Sequence, residues 1–413
     1  MIKQDLIVKL PPMLAGAELL SALEVLPEYD ESIGDLDAAT RLMALSDLYK
    51  LYLPSQMSVE IYSKLYLALL HSLQKKQTSL AIQQQIQNYR AIRQQSYSGI
   101  IGGSDSFTII GASGIGKSTA ISRAISLITG NKVIEVDEPY TTIIPCLVVQ
   151  CPFDSSVKGL LLEILRKVDE YLGSKYYENA MRVRATTDML IGSVSQVALN
   201  HIGLLIVDEI QNVVNSKHGK SLVGALTQLI NNSGISVCMV GTPESALFFE
   251  QAMQLARRSL GIQYGNMGYD AYFEEFCNVL FSYQYVRNNS MLTPSITEWL
   301  YEHSAGIISV VVSLVHDAQE IAILSGKECL NLEILSMAYQ QRLSLLHGYI
   351  EPSITKKPQA TAIKQNAPAT KASANAVIEN ENIISQLVTL AKNQQIDLLP
   401  TLKDYMPIVE VSL

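Results

Sequence analysis

The stretch GASGIGKST, Gly111–Thr119, decides the fold because it satisfies the pattern G-x-x-x-x-G-K-S/T at every defined position. Residues 106–110 before it read as a short buried strand, and residues 120–128 after it read as a helix. Glycines in such a loop let successive backbone N–H groups point at a phosphate, and the helix N-terminus adds partial positive charge. The sequence therefore predicts a site for a nucleoside triphosphate, with ATP as the cofactor.

Two side chains of this loop have predicted roles of their own. We expect Lys117 to reach the β- and γ-phosphates, and Ser118 to offer its hydroxyl to Mg²⁺. The residues predicted to hold the nucleotide are Gly111, Ser113, Gly114, Ile115, Gly116, Lys117, Ser118 and Thr119. The alternative is a glycine-rich turn that matches the pattern by coincidence.

A second motif is the apolar run Gly203–Val207, which ends in Asp208 and Glu209. A central parallel strand is buried on both faces and reads as such a run. Asp208 is expected to hold the metal ion together with Ser118, and Glu209 to polarise the water that attacks the γ-phosphate. The pattern predicts a Walker B site, although an apolar run before two acidic residues is weak evidence by itself.

Two further segments complete the predicted ATPase site. The apolar run 235–240 is followed by Thr242, which we expect to sense the γ-phosphate; the alternative is a strand that ends in an ordinary turn. Arg257 and Arg258 lie on a predicted helix, and one of them could complete the site of a neighbouring subunit as an arginine finger, since a planar cation stabilises the charge that spreads over the phosphoryl oxygens. Surface ion pairs are the alternative for both arginines.

Together these motifs resemble the TnsC/TniB group of transposition-regulator AAA+ ATPases, in particular the TnsC type of target-selecting transposons, CRISPR-associated ones among the options. The resemblance spans roughly residues 90–260 and rests on segments 97–118, 205–211, 240–244 and 254–258. It implies subunits that wind around duplex DNA as a ring or helical homo-oligomer, with a target selector and a transposase as protein partners. The chain departs from many AAA+ proteins because segment 304–315 has no arginine for the sensor-2 position, and this predicts hydrolysis that is either slow or helped by another residue.

The overall charge restricts how the chain can contact nucleic acid. A net charge of −8 argues against binding by bulk charge, so DNA contacts should be local. The candidate DNA-binding residues are Lys175, Arg182, Arg184, Lys217 and Lys220. A solvated charged surface is the alternative for each of them. The N-terminus does not read as a signal peptide, and no apolar run reaches about twenty residues, so we expect a cytoplasmic protein without a membrane span.

The predicted fold class is α/β, a P-loop AAA+ ATPase whose parallel sheet is sandwiched by helices, with a small helical lid and an N-terminal helical region. The predicted parts are an N-terminal helical adaptor or partner region (1–95), the ATPase core (96–285), the lid (286–350), a flexible linker (351–382) and a partner-binding segment (383–413). The last segment has apolar residues after a proline- and lysine-containing tether; folding back onto the ATPase core is its alternative.

The sequence thus predicts an ATP-dependent, DNA-binding regulator of transposition that links a target-site selector to a transposase and hydrolyses ATP slowly. Two other functions share most of these motifs. A replication initiator or helicase loader would bind a helicase instead of a transposase, and a nucleotide-gated signalling scaffold would not respond to DNA. A small-molecule kinase would leave the paired arginines unexplained.

Overall fold

A six-stranded sheet forms the centre of the computed structural model, which describes residues 6–78, 81–82, 106–130, 132–136, 141–154, 156–213, 219–245 and 261–343. The strands are β1 (Ser106–Gly111), β2 (Ile134–Val136), β3 (Thr141–Gln150), β4 (Ile202–Asp208), β5 (Ser236–Gly241) and β6 (Ile262–Tyr264). Their order is β2-β3-β4-β5-β1-β6. All neighbours are parallel except β2, which runs antiparallel to β3.

The register of the sheet brings the three predicted motifs to one edge. Ile110 of β1 pairs with Gly241 of β5, and Val207 of β4 pairs with Met239 of β5. Because these strands are parallel, their carboxyl ends lie side by side, where open α/β sheets bind their ligands. The phosphate loop, the two acidic residues after β4 and the threonine after β5 therefore share this edge.

Helices precede, separate and follow the strands in the sequence. They are α1 (Gly16–Leu23), α2 (Ala38–Ala44), α3 (Gln56–Lys76), α4 (Lys117–Thr129), α5 (Val157–Leu172), α6 (Tyr176–Arg182), α7 (Thr187–His201), α8 (Gly219–Ser233), α9 (Ala271–Ser282), α10 (Pro294–Ser304), α11 (Ile308–Ser325) and α12 (Leu332–Arg342). Polar side chains start several of them: Ser156 accepts a hydrogen bond from Gly159 N, and Asp270 accepts one from Phe273 N. Such caps satisfy backbone donors that a helix start leaves unpaired.

Two apolar clusters cover opposite faces of the sheet. One joins inward residues of α5, α7 and α8 to the strands, with Ile164, Val194 and Leu226 among its buried members. The other joins α1, α3 and α4 to the strands. The packing of α3 is close, because a Cβ on Gly203 of β4 would stand 2.6 Å from Leu69 Cδ1. The predicted α/β architecture, a mostly parallel sheet between helical layers, is confirmed.

A third apolar cluster forms the helical lid from α9, α10, α11 and α12. Residues from far upstream belong to the same cluster, namely Leu45, Leu48 and Leu51, which follow α2. Between Val25 and Tyr52 the chain runs to the lid and back to the sheet. The two residues pair with each other: Val25 N donates to Tyr52 O, and Tyr52 N donates to Val25 O, both at 2.8 Å. The domain boundaries at residues 95 and 285 stay predictions.

The helix α11 has the length and composition of a membrane span, but 56% of it is buried inside the protein. Val311, Leu314 and Val315 on this helix are completely buried in the lid cluster. Such burial is typical of the core helix of a lid.

A buried ion pair fastens the N-terminal segment to the lid. Arg41 of α2 has a side chain only 1% exposed, and its Nη1 and Nη2 atoms donate to the Glu328 carboxylate at 2.7 and 2.8 Å. Arg41 also donates to the carbonyl oxygens of Leu36 and Tyr285. The hydrogen bonds from Arg41 are the main cause that lowers the pKa of Glu328. Four of the five N–H donors of the guanidinium are thus engaged, which is how a buried arginine is tolerated.

Replacing this arginine should destabilise the protein strongly. We expect Arg41→Met to lower the free energy of unfolding by about 3–5 kcal/mol, because Glu328 is left charged and poorly solvated. The pKa of Glu328 is lowered in the folded state, so its contribution is present at neutral pH and is lost as the pH falls below the range of an ordinary glutamate. Urea unfolding at pH 7 and at about pH 4 should therefore show a larger pH effect in the wild type than in the variant.

The exposed pair Lys327–Glu333 offers a matched control nearby, with side chains 39% and 69% exposed. Lys327→Met should cost less than about 1 kcal/mol, because solvent screens an exposed ion pair. If Arg41→Met behaves like this control, the buried pair does not hold the N-terminal segment to the lid.

Candidate functional site

The phosphate loop connects the end of β1 to the start of α4. Gly114 and Gly116 have φ angles of +81° and +94°, in the left-handed region that favours glycine. Gly114 is also in close contact with the lid: its carbonyl accepts a hydrogen bond from Ser309 N at 3.1 Å. A Cβ on Gly114 would stand 2.3 Å from Ser309 Oγ and 2.9 Å from Ile307 Cγ2. The loop conformation and its contact with the lid therefore both depend on this glycine.

Gly114→Ala should weaken ATP binding by about tenfold or more, because the added methyl strains the loop and pushes the first turn of α11 away from it. Titration with a fluorescent ATP analogue measures this. Gly173→Ala is the control: Gly173 has a φ of +64° after α5, but nothing lies within 4 Å of its Cβ position. Equal losses of ATP affinity in the two variants would show that the contact with the lid does not matter.

Lys117 lies in the first turn of α4 and is almost fully buried. Its Nζ atom donates to the carbonyl oxygens of Gly111 and Ala112, each at 2.7 Å. Burial lowers the pKa of Lys117, although the carboxylates of Asp208, Glu209 and Glu244 act in the opposite direction. An ammonium held within the loop by exchangeable hydrogen bonds can turn to phosphate oxygens that enter the same loop.

Ser118 and Asp208 face each other as the sequence predicts. Ser118 Oγ donates to Asp208 Oδ2 at 3.4 Å, although the two residues come from different motifs. A hydroxyl and a carboxylate are hard oxygen ligands of the kind that Mg²⁺ prefers. The chemistry of these two side chains therefore fits a magnesium ion.

Glu209 follows directly after the strand and is exposed at the carboxyl edge of the sheet. Its backbone lies in the left-handed region, with a φ of +58°, and its N–H donates to Asp208 Oδ1 at 2.8 Å. Non-glycine residues in this region are uncommon and cluster at functional sites. The Glu209 carboxylate accepts a hydrogen bond from Gln211 Nε2. Gln211 lies at the end of motif segment 205–211, but no role was predicted for it from the sequence.

Thr242 follows β5 and begins a short turn, in which Ser245 N donates to Thr242 O at 2.9 Å. Interaction with the Thr242 side chain is the main cause that lowers the pKa of Glu244. Glu244 also interacts electrostatically with Lys117. Sequence reasoning missed Glu244, although its spacing of two from Thr242 repeats the spacing of Gln211 from Glu209.

A cavity of about 220 Å³ lies beside the phosphate loop, between the loop, the lid and the N-terminal segment. Its lining is mostly apolar and includes Tyr52, Met57, Tyr272 and Ile308, together with the loop glycines. Tyr272 is fixed by a hydrogen bond from its hydroxyl to Leu53 O at 2.7 Å. These residues are far apart in the sequence, so no local pattern could have grouped them.

The remaining predicted site residues fall in different places. Lys175, Arg182 and Arg184 are exposed at the two ends of α6, and Arg184 has a φ of +47°. Lys220 lies in the first turn of α8. Arg257, Arg258 and Lys217 lie outside the described residues. The roles of all of these residues stay predictions.

Comparison with known proteins gives a family match within the ATPase region. Residues 102–263 match the family described as bacterial TniB protein. This match covers the phosphate loop, the acidic pair after β4 and the threonine after β5, and it confirms the resemblance to the TnsC/TniB group of AAA+ ATPases. No curated protein matches the chain.

Several solved structures are similar to the chain at low identity. The Aeropyrum pernix ORC1 protein in complex with DNA is 16% identical, with a TM-score of 0.39, over 63% of this chain and 64% of that one. Drosophila ORC bound to DNA is 14% identical, with a TM-score of 0.43, over 80% and 69% of the two chains. A RuvB mutant from Thermotoga maritima is 10% identical, with a TM-score of 0.32, over 64% and 69%. The chain thus spans a little under two thirds of the first of these proteins.

Proposed function

We propose, on the premise of the TniB match and the site geometry, that this AAA+ ATPase is an ATP-dependent regulator of DNA transposition. It oligomerises on duplex DNA and links a target-site selector to a transposase. The observation that carries the proposal is the meeting of Lys117, Ser118, Asp208, Glu209 and Thr242 at one edge of the sheet, within the segment that matches the family.

The nucleotide would span the phosphate loop and the neighbouring cavity. The loop amides and Lys117 would bind the phosphates, and the apolar cavity beside Tyr52 and Tyr272 would take the base and ribose. Ser118 and Asp208 would hold Mg²⁺, which neutralises charge on the β- and γ-phosphates. Glu209 would accept the proton of the attacking water, and Thr242 would donate a hydrogen bond to the γ-phosphate.

Self-assembly would complete this site. In the described part of the chain, the cation that acts on the site carboxylates is Lys117, and the lid segment 304–315 contains no arginine. A neighbouring protomer would supply Arg257 or Arg258, so hydrolysis would depend on assembly and would stay slow in a free protomer. ATP would then act as the assembly signal, and hydrolysis would dismantle or remodel the oligomer.

The proposed DNA contact uses the exposed cations at the ends of α6. We expect Arg182→Glu and Arg184→Glu to weaken DNA binding, and each should reduce the slope of log affinity against log salt by about 1, because each removes a phosphate contact. Fluorescence anisotropy with duplex DNA at several salt concentrations measures this slope. Lys132→Glu, at an exposed position before β2, is the control. An unchanged slope in the arginine variants would show that DNA binds to a different surface of the protein.

The protein partners would bind outside the nucleotide site. The N-terminal region is the proposed contact for the target selector, and segment 383–413 for the transposase. We further propose that the protein acts in the cytoplasm, where the DNA of a bacterial transposon lies.

The size distribution of the protein tests the whole proposal. Sedimentation velocity and electron microscopy should show large assemblies with duplex DNA and ATP, and not with ADP or in Lys117→Ala. Small oligomers that ignore DNA would favour a nucleotide-gated signalling scaffold. DNA-dependent assemblies that recruit a replicative helicase and no transposase would favour an initiator or helicase loader.

A further inference from the structure

A buried lysine joins the end of α3 to the end of α7. The side chain of Lys76, in the last turn of α3, is only 3% exposed. Its Nζ atom donates to Ala198 O at 2.9 Å and to Leu199 O, both in the last turn of α7. The last carbonyl oxygens of a helix have no intrahelical donor, so an amine can satisfy them. Lys76 therefore fastens α3 to the helix that leads directly into β4.

No carboxylate forms an ion pair with Lys76 in the part of the chain that the structure describes. Burial is the cause that lowers the pKa of Lys76 to about 7. The two carbonyl oxygens carry only partial negative charge, which is much weaker than a full counter-charge. The charged form of Lys76 is therefore costly in the folded protein, whereas the neutral amine is not.

A second buried base lies beside Lys76. His201 is the last residue of α7, and its Nδ1 and Nε2 atoms lie 2.9 Å from Thr142 O and 3.2 Å from the Tyr176 hydroxyl oxygen. Because a carbonyl can only accept, Nδ1 carries the proton and Nε2 accepts from Tyr176. Burial is the main cause that lowers the pKa of His201; the hydrogen bond to Thr142 O opposes this, and Lys76 adds to it. Protonation of both bases would place two cations side by side in the interior.

The surrounding elements supply little charge to offset these bases. β4 and β5 both begin here with uncharged residues. On the last turns of α3, His71 is exposed and Lys75 is half-buried, and both are bases as well. The acidic side chain nearest to this group in the interactions of the described residues is Asp169 of α5, which acts on Tyr176. Its oxygen atoms already accept hydrogen bonds from backbone N–H groups at the start of α6.

We propose that Lys76 is a pH-dependent latch between α3 and α7, which holds while its amine is neutral and opens when the amine is protonated. A neutral amine still has two N–H donors for the two carbonyls and brings no charge into the interior. Opening lets the ammonium reach water, and a proton on His201 at lower pH favours opening further. The latch does not depend on the proposed function of the ATPase site.

The stability of the full chain should respond to pH through this one group. The pKa of Lys76 is lower in the folded protein than in the unfolded chain, so the unfolded chain binds more protons above about pH 7 and stability rises with pH. Between pH 7 and pH 9 the unfolding equilibrium constant of the wild type should fall by about 50-fold relative to that of Lys76→Met, which cannot be protonated. Urea unfolding measures this ratio. Lys64→Met, at a half-buried position on the same helix, should follow the wild type.

Hydrogen exchange tests whether the latch itself opens. After correction for the intrinsic effect of pH on exchange, the amides of residues 70–78 and 195–203 should be about tenfold less protected at pH 6 than at pH 8 in the wild type. In Lys76→Gln, which keeps an N–H donor but has no titratable amine, protection should be equal at the two pH values. The amides of the lid helix α11 are the internal control.

Two results would overturn the latch. One is a stability ratio of wild type to Lys76→Met that stays constant from pH 7 to pH 9. The other is protection at the α3–α7 contact that is equal at pH 6 and pH 8 in the wild type, or that changes as much in Lys76→Gln. The wild-type exchange measurement decides the question even if neither variant folds.

Discussion

Glu209→Gln is expected to bind ATP as the wild type does and to hydrolyse it at least about a hundredfold more slowly, because the amide cannot accept the proton of the attacking water. Asp208, Ser118 and Lys117 stay in place, so nucleotide and Mg²⁺ binding should persist. The variant should therefore accumulate as ATP-bound assemblies on DNA. Single-turnover hydrolysis and sedimentation with duplex DNA measure the two effects.

The left-handed backbone at Glu209 makes its control important. Glutamine keeps the size and shape of the side chain, so any strain of this backbone is the same in both proteins. Glu298→Gln, at an exposed position on α10, should hydrolyse ATP normally. If Glu209→Gln also hydrolyses ATP normally, the assignment of the Walker B glutamate is wrong.

Lys117→Ala is expected to lose ATP binding by about a hundredfold or more and to lose assembly on DNA with it. The ammonium is the one cation that the described residues place inside the phosphate loop, and its two hydrogen bonds to Gly111 and Ala112 also brace the loop. Charge-assisted bonds from a partly desolvated lysine to phosphate are among the stronger polar interactions in proteins. Isothermal titration with ATP in the presence of Mg²⁺ measures the loss.

A loss of folding would imitate this result, so stability has to be measured beside affinity. Lys117 is buried, and its removal leaves the carbonyls of Gly111 and Ala112 without their donor. Lys117→Met also removes this donor but retains the aliphatic stem, so it should lose ATP binding with a smaller loss of thermal stability than Lys117→Ala. ATP affinity retained in a folded Lys117→Met protein would contradict the predicted role of the lysine.

The strands that carry the site could be predicted because parallel strands buried on both faces are nearly continuous apolar runs. β1, β4 and β5 follow this rule, and each ends near its predicted position. β2 and β6 were not predicted, since each has three residues and lies at an edge of the sheet. Three residues are too few for a periodic pattern.

The N-terminal region was harder to predict because its contacts are distant in the sequence. Residues 38–52 read as one helical block, whereas α2 ends at Ala44 and a 3-10 helix, Leu45–Lys50, continues the chain. Arg41 of α2 pairs with Glu328, which lies 287 residues further along the chain. A single sequence gives no signal for such a pairing. The same limit applies to the cavity beside the phosphate loop.

The site itself was predictable in part. Motif spacing indicated Lys117, Ser118, Asp208, Glu209 and Thr242, and the sheet register brings their positions to one edge. The hydrogen bond between Glu209 and Gln211 and the interaction between Thr242 and Glu244 were not predictable, because they depend on the local turn after each strand. The left-handed backbone of Glu209 could not be predicted either, because glutamate rarely adopts a positive φ.

The path of the N-terminal segment has a practical consequence for anyone who shortens this protein. Leu45, Leu48 and Leu51 fill the interior of the lid, and Arg41 neutralises a carboxylate there. A protein that began at residue 56 would retain the sheet, but it would expose the apolar faces of the lid helices. It would also leave the carboxylate of Glu328 without its ion-pair partner. Such a fragment should aggregate, so the smallest useful ATPase has to start well upstream of its own phosphate loop.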